Sequence, residues 1–193
     1  MKIVHLIAGI ALSATPSLAE ETTQLDAHEH GVGQLNIAFD ENKIAMELHA
    51  PGADIVGFEY GAKSDADLAA IDAALQTLSD PLGLFLIPEA ASCIVITAHA
   101  KLESEDSDHD DHDEEGHDEE GHDDHDEAPG HTEFHAEYLL ECANLTEISA
   151  ITFSYFEIFP NALELEVQVI SDKGATAFEI ERDVAKLDLR GIF

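Results

Sequence analysis

From Asp106 to Glu127 the chain reads DSDHDDHDEEGHDEEGHDDHDE, and His109, His112, His117, His122 and His125 stand in it among carboxylates. The 25 residues from Glu103 to Glu127 comprise 16 Asp or Glu, five His, two Ser and two Gly, with no Lys, Arg or apolar side chain. Imidazole nitrogen and carboxylate oxygen at this density are ligands for a borderline divalent metal, zinc first, then nickel or copper. The pentad Glu-Glu-Gly-His-Asp occurs twice, at 114–118 and 119–123, so each of those imidazoles has a neighbouring Asp able to orient it. No EF-hand spacing is present to build a calcium loop. A solvated acidic linker is the plainer reading, but a spacer has no need of histidine.

Six further histidines stand on segments with more order in their sequence: His28, His30, His49, His99, His131 and His135. An extended chain places His28 and His30 on one side. It likewise places His131, Glu133, His135 and Glu137 on one side of a strand and Phe134, Tyr138 and Leu140 on the other. That run is the best ordered ligand candidate; its plainer reading is a solvated strand face.

The elements that must hold these residues follow from periodicity. Leu35, Ile37 and Phe39 alternate with polar or small residues, as do Ile44, Met46 and Leu48, and Asp40-Glu41-Asn42-Lys43 reads as the turn between two strands. Pairing Asp40 with Lys43 sets Phe39 opposite Ile44, Ile37 opposite Met46 and Leu35 opposite Leu48, so the apolar faces agree. Glu47 and His49 then lie on the polar face, His49 opposite Gln34. A site shared by His49 and His30 would need a bend, which Gly31 and Gly33 allow.

Ser64-Asp65-Ala66-Asp67 carries an N-cap with an acid three residues on, and Leu68, Ile71, Leu75 and Leu78 recur at helical spacing, which predicts a helix over 64–79. Residues 93–102 and 131–142 read as strands flanking the His-rich loop, and 149–155, 163–170 and 175–181 as further strands, with Leu187 and Leu189 in a possible last one. Cys93 and Cys142 most simply form a disulfide clamping the first pair, thiolate metal ligands being the alternative. Set opposite each other, they pair Val95 with Leu140 and Thr97 with Tyr138. This register sends His99 to the Phe134/Tyr138 face, away from His135. The expected fold is α+β: mainly antiparallel sheet built from hairpins, one main helix, and a long His/Asp-rich loop over 103–130 whose composition predicts disorder.

A formal charge of −34 argues against nucleic acid or an anionic membrane as partner and favours cations or a basic protein surface. Residues 1–19 have the form of a secretory signal: Lys2, the mostly apolar run Ile3–Ala14, and Ser17-Leu18-Ala19 before the cleavage point. The mature chain, 20–193, is then one exported domain, and a periplasm fits the leader.

Several stretches together resemble the zinc-regulated periplasmic protein ZrgA family. They are His28-Glu29-His30-Gly31 before a hairpin, the run Ala50 to Glu59 (APGADIVGFE), two cysteines around a His/Asp loop, Glu133-Phe134-His135-Ala136-Glu137-Tyr138, and Phe156-Glu157-Ile158-Phe159-Pro160 before Val167 to Ile170. The resemblance implies a periplasmic Zn(II)-binding protein of a Gram-negative bacterium that assists zinc acquisition beside an inner-membrane ABC-type transporter. A binding protein is therefore expected rather than an enzyme, monomeric, with the ordered histidines holding one zinc tightly and loop histidines holding further ions weakly. The alternatives are a nickel or copper chaperone, a metal-resistance buffer, or an acidic interaction module. A metallohydrolase lacks sequence support, since neither H-E-x-x-H nor G-x-S-x-G occurs.

Overall fold

Alternation of buried and exposed side chains builds the first hairpin. Strand β1 (Val32–Asp40) buries Leu35, Ile37 and Phe39, and β2 (Lys43–Pro51) buries Ile44, Met46, Leu48 and Ala50. Their pairing follows the expected register from Asp40↔Lys43 to Gln34↔His49, with Glu41 in the turn at φ 53°. The computed structural model describes residues 29–104 and 131–192. His28, His109, His112, His117, His122, His125 and the leader lie outside the described residues.

After β2 come the short helix α1 (Gly52–Ile55), α2 (Asp65–Leu78), the short helix α3 (Pro81–Leu84), and strands β3 (Phe85–Leu86) and β4 (Cys93–Ser104). Beyond the loop come β5 (Thr132–Cys142), β6 (Ala150–Phe153), the short helix α4 (Tyr155–Ile158), β7 (Glu164–Ser171), β8 (Gly174–Glu181) and β9 (Lys186–Asp188). Helix α2 starts as its sequence dictates. Ser64 Oγ accepts from the Asp67 N–H while the Asp67 carboxylate accepts from the Ser64 N–H, a reciprocal cap.

Six strands form one sheet in the order β4-β5-β2-β1-β7-β8, and β3-β6-β9 form a second, smaller one. Among the described residues all pairings are antiparallel except β1 with β7. That parallel pair departs from a sheet made only of hairpins. Its cause is the one edge that β1 has left after pairing with β2. Leu165, Val167 and Val169 of β7 share the apolar face of Leu35 and Ile37, and the Leu163 and Glu164 N–H groups donate to the Gly31 carbonyl at the start of β1. A parallel partner requires a long crossover, supplied here by everything between β2 and β7.

One continuous core lies between the apolar face of the large sheet and the layer made by the helices and small sheet. Its centre is aromatic. Phe85 meets Phe153 edge-on at 5.6 Å, and Tyr155 meets Phe156 at 5.3 Å, all four fully buried or nearly so. Arg182, after β8, fastens this layer. Its guanidinium donates to the Phe156 carbonyl at 3.0 Å, to that of Phe159 at 3.1 Å, and to those of Pro160 and Ala162. Arg182→Ala removes this donor from all four carbonyls of the α4 exit, leaving that of Phe159 only the Ala162 N–H at 3.2 Å. The expected cost is about 2–3 kcal/mol, read as a lower urea midpoint at unchanged slope.

The β4–β5 pair begins as expected, with Cys93 opposite Cys142 and bonded to it, and Val95 opposite Leu140. A bulge then intervenes between Val95 and Thr97, and Thr97 pairs with Leu139 rather than Tyr138. His99 therefore faces outward opposite Glu137, not toward Phe134 and Tyr138. The reason is the cost of burying polar groups. An unbroken register would turn Thr97, His99 and Lys101 into the core, whereas the slip packs Ala98, Ala100 and Leu102 against it. Because Ile94, Val95 and Ile96 are all apolar, alternation there gives no warning of the bulge.

Candidate metal centre

Strands β2 and β5 are neighbours, and their register sets His49 directly opposite His135. Side chains alternate along a strand. The even-numbered residues Leu48, Ala50, Phe134 and Ala136 fill the core, so Glu47, His49, Glu133, His135 and Glu137 face outward. The two imidazole rings approach to 4.0 Å between centroids, inclined at 59°.

Glu133 completes the group. Its Oε2 is bonded to His135 Nε2 and lies 3.5 Å from His49 Nδ1. One ligand atom each from His49, Glu133 and His135 falls within 4.8 Å of the others. A second tier of carboxylates surrounds them. Glu47 Oε1 is 3.2 Å from His49 Nε2, and Glu103 Oε2 is 3.2 Å from His135 Nε2, with Lys101 paired to Glu103. The three central side chains are only 19–26% exposed, sheltered yet open to solvent.

The charges act together. The hydrogen bond to Glu133 raises the His49 pKa above its ordinary value against the opposing effect of burial, with Glu47 adding to it. Glu103 is held below the usual carboxylate range, first by its bond to Lys101. A pocket of carboxylates around two imidazoles concentrates divalent cations. Two histidines and one carboxylate make a three-ligand zinc set that leaves a position open for water or an exchanging ligand. The donor types and their convergence fit zinc.

The other candidate residues fall elsewhere. His131, just before β5, lies 2.9 Å through Nδ1 from Glu59 Oε2, and His30 lies 3.0 Å through Nε2 from the same oxygen. The run 131–137 thus divides: Glu133 and His135 turn to His49, and His131 to Glu59. His30 and His49, expected to need a bend in order to meet, belong to different groups. His99 shares the outer face but stands two residues along β4 from Lys101, the partner of His135. Glu59 and Glu103 gave no signal of their own in the sequence, one being part of a loop and the other a boundary acid of the His-rich segment.

An outward-facing His/Glu cluster on a β-sheet defines, by its chemistry, a protein surface suited to a divalent metal. The chain belongs to the ZrgA family of zinc uptake proteins, whose family model matches residues 27–189. No curated protein matches it. Among the described residues no helix is long and apolar enough to cross a membrane.

Proposed function

We propose that this protein is a periplasmic receptor that captures Zn(II) at His49, Glu133 and His135 and passes it toward import, without catalysing a reaction. The observation that carries the reading is the cross-strand pair His49–His135 closed by Glu133. The family's tie to zinc uptake supports the choice of metal. The sequence features of residues 1–19 support export, and an inner-membrane ABC-type transporter is the natural recipient of the ion. The histidines of the 103–130 loop serve as a weaker accessory pool that raises the local zinc concentration. The protein acts as a monomer of one domain.

Zinc titration calorimetry on the chain from Glu20 tests this against a variant in which residues 105–127 become a Gly/Ser linker, leaving Glu103 in place. The tight binding isotherm survives the replacement if the sheet holds the receptor. Its disappearance would move the receptor into the loop.

Proton competition gives a second check. A ligating imidazole must be neutral, and in the metal-free protein His49 keeps its proton to a higher pH than a free histidine. Zinc affinity is therefore expected to weaken as pH falls, starting above the ordinary histidine value of about 6.5. Calorimetry between about pH 8 and about pH 5.5 reads this directly. A flat profile would exclude histidine ligation.

A further inference from the structure

We infer that His30, Glu59 and His131 form a second divalent-metal site beside the first, with zinc as its natural occupant. It shares no ligand with His49, Glu133 and His135, and it goes beyond the reading above by adding a second ordered ion.

The geometry converges on one oxygen. Glu59 Oε2 lies 3.0 Å from His30 Nε2 and 2.9 Å from His131 Nδ1. In a tetrahedral shell with bonds of ~2.1 Å, ligand atoms sit about 3.4 Å apart. Both separations are close to that edge, and the two exposed rings must swing toward each other about the Glu59 oxygen to close the third side around an ion. Without metal the ring N–H groups donate to the carboxylate; with metal the same nitrogens present lone pairs to it. Two imidazoles and a carboxylate are the donor set of the first centre, repeated.

These residues come from three separate segments, and the fold fixes each. Gly31, next to His30, takes φ +91°, a left-handed conformation that favours glycine. Its N–H donates to Asp54 Oδ1 at 2.8 Å, and its carbonyl accepts from the Leu163 and Glu164 N–H groups. Glu59 is brought to the head of β5 because Gly52 lets the backbone press close: a Cβ there would fall 2.4 Å from Thr132 Oγ1 and 2.7 Å from the Phe58 carbonyl oxygen. Thr132 adjoins His131. The Glu59 side chain is only 12% exposed, whereas those of His30 and His131 are 67% and 53% exposed, so an ion could enter and leave from solvent.

Asp54 is an independent sign. It is 2% exposed, and its Oδ2 accepts no hydrogen bond. Burial above all, and more weakly the charge of Glu59, push its pKa up to about 6, against the hydrogen bond from the Gly31 N–H and, least, the nearby His30. A buried carboxylate with a free oxygen, held beside a second carboxylate, is a costly arrangement that a nearby cation relieves. His131 stands two residues before Glu133, so an ion here would also steady the end of β5 that carries the first centre.

The test is zinc titration of the full chain, uniformly labelled with ¹⁵N, following the histidine ring nitrogens, with assignments from single His variants. His30 Nε2 and His131 Nδ1 are expected to take on metal-bound shifts at zinc levels below those that move the loop histidines. In E59Q the response of these two weakens by about tenfold or more, while that of His49 and His135 holds. If His49 and His135 respond but His30 and His131 move only with the loop histidines, or are unaffected by E59Q, the second site is overturned and the first remains. If His30 and His131 respond in this way while His49 and His135 stay silent, the second site stands and the proposed receptor falls.

Discussion

Zinc binding at the receptor is expected to collapse when His49 and His135 are both replaced by alanine. Apparent zinc binding energies of roughly 10–16 kcal/mol spread over four ligands give about 3 kcal/mol for each, or about a hundredfold in affinity per ligand. Removing two of three protein ligands leaves Glu133 alone, so competition with a zinc chelator should read a loss of about four orders of magnitude at this site. Weak binding by the loop histidines remains in the same titration and serves as an internal control. The fold should hardly notice. Both imidazoles point away from the core, and the backbone pairing of β2 with β5 does not depend on them. Metal-free protein and variant should therefore unfold at nearly the same urea concentration, with a zinc-induced rise in stability at low zinc that is smaller in the variant than in the parent. A variant that binds as tightly as its parent would show that the cross-strand pair is an ordinary surface contact.

The types of the ligands were legible in the sequence, but their grouping was not. His49 could be placed on the outer face of a hairpin and set opposite Gln34, because Leu35, Ile37 and Phe39 alternate and a four-residue turn fixes the register. Glu133 and His135 could be placed on one strand face by the same rule. What brings them to His49 is the pairing of β2 with β5, a contact between segments far apart in sequence that no periodicity encodes. The same holds for β7 beside β1.

Local signals worked where a local interaction decided the outcome. The Ser64–Asp67 cap starts α2, and the cysteines lie opposite each other as their flanking strands implied. They failed where packing chose between near-equal options. In Ile94-Val95-Ile96 either face is apolar, and only the cost of burying Thr97, His99 and Lys101 selects the bulge. The second histidine group was hidden for another reason. Glu59 and Asp54 sit in an irregular stretch after Pro51, where no repeat tells which side chain turns inward.

Replacing Cys93 and Cys142 with serine is expected to cost the most stability of any change considered. The bond joins residues 49 apart in sequence. On the chain-entropy model, opening a loop of that size returns about 4 kcal/mol of freedom to the unfolded chain, a large share of the roughly 5–15 kcal/mol that holds a domain together. The connection between β4 and β5 is long, so no short turn substitutes for the clamp. Strand β4 is the edge of the sheet, with Ile94, Val95 and Ile96 at 58%, 39% and 47% exposure, and fraying there would offer an apolar edge for aggregation. The metal centre should behave differently. His135 and Glu133 lie at the opposite end of β5 from Cys142, and because both sulfurs are committed to each other neither serves as a zinc thiolate. Urea unfolding of the double-serine variant should thus show a much lower midpoint, while calorimetry on the fraction still folded returns the parent's tight zinc affinity. A loss of tight affinity without a loss of stability would reverse the assignment and make the sulfurs ligands.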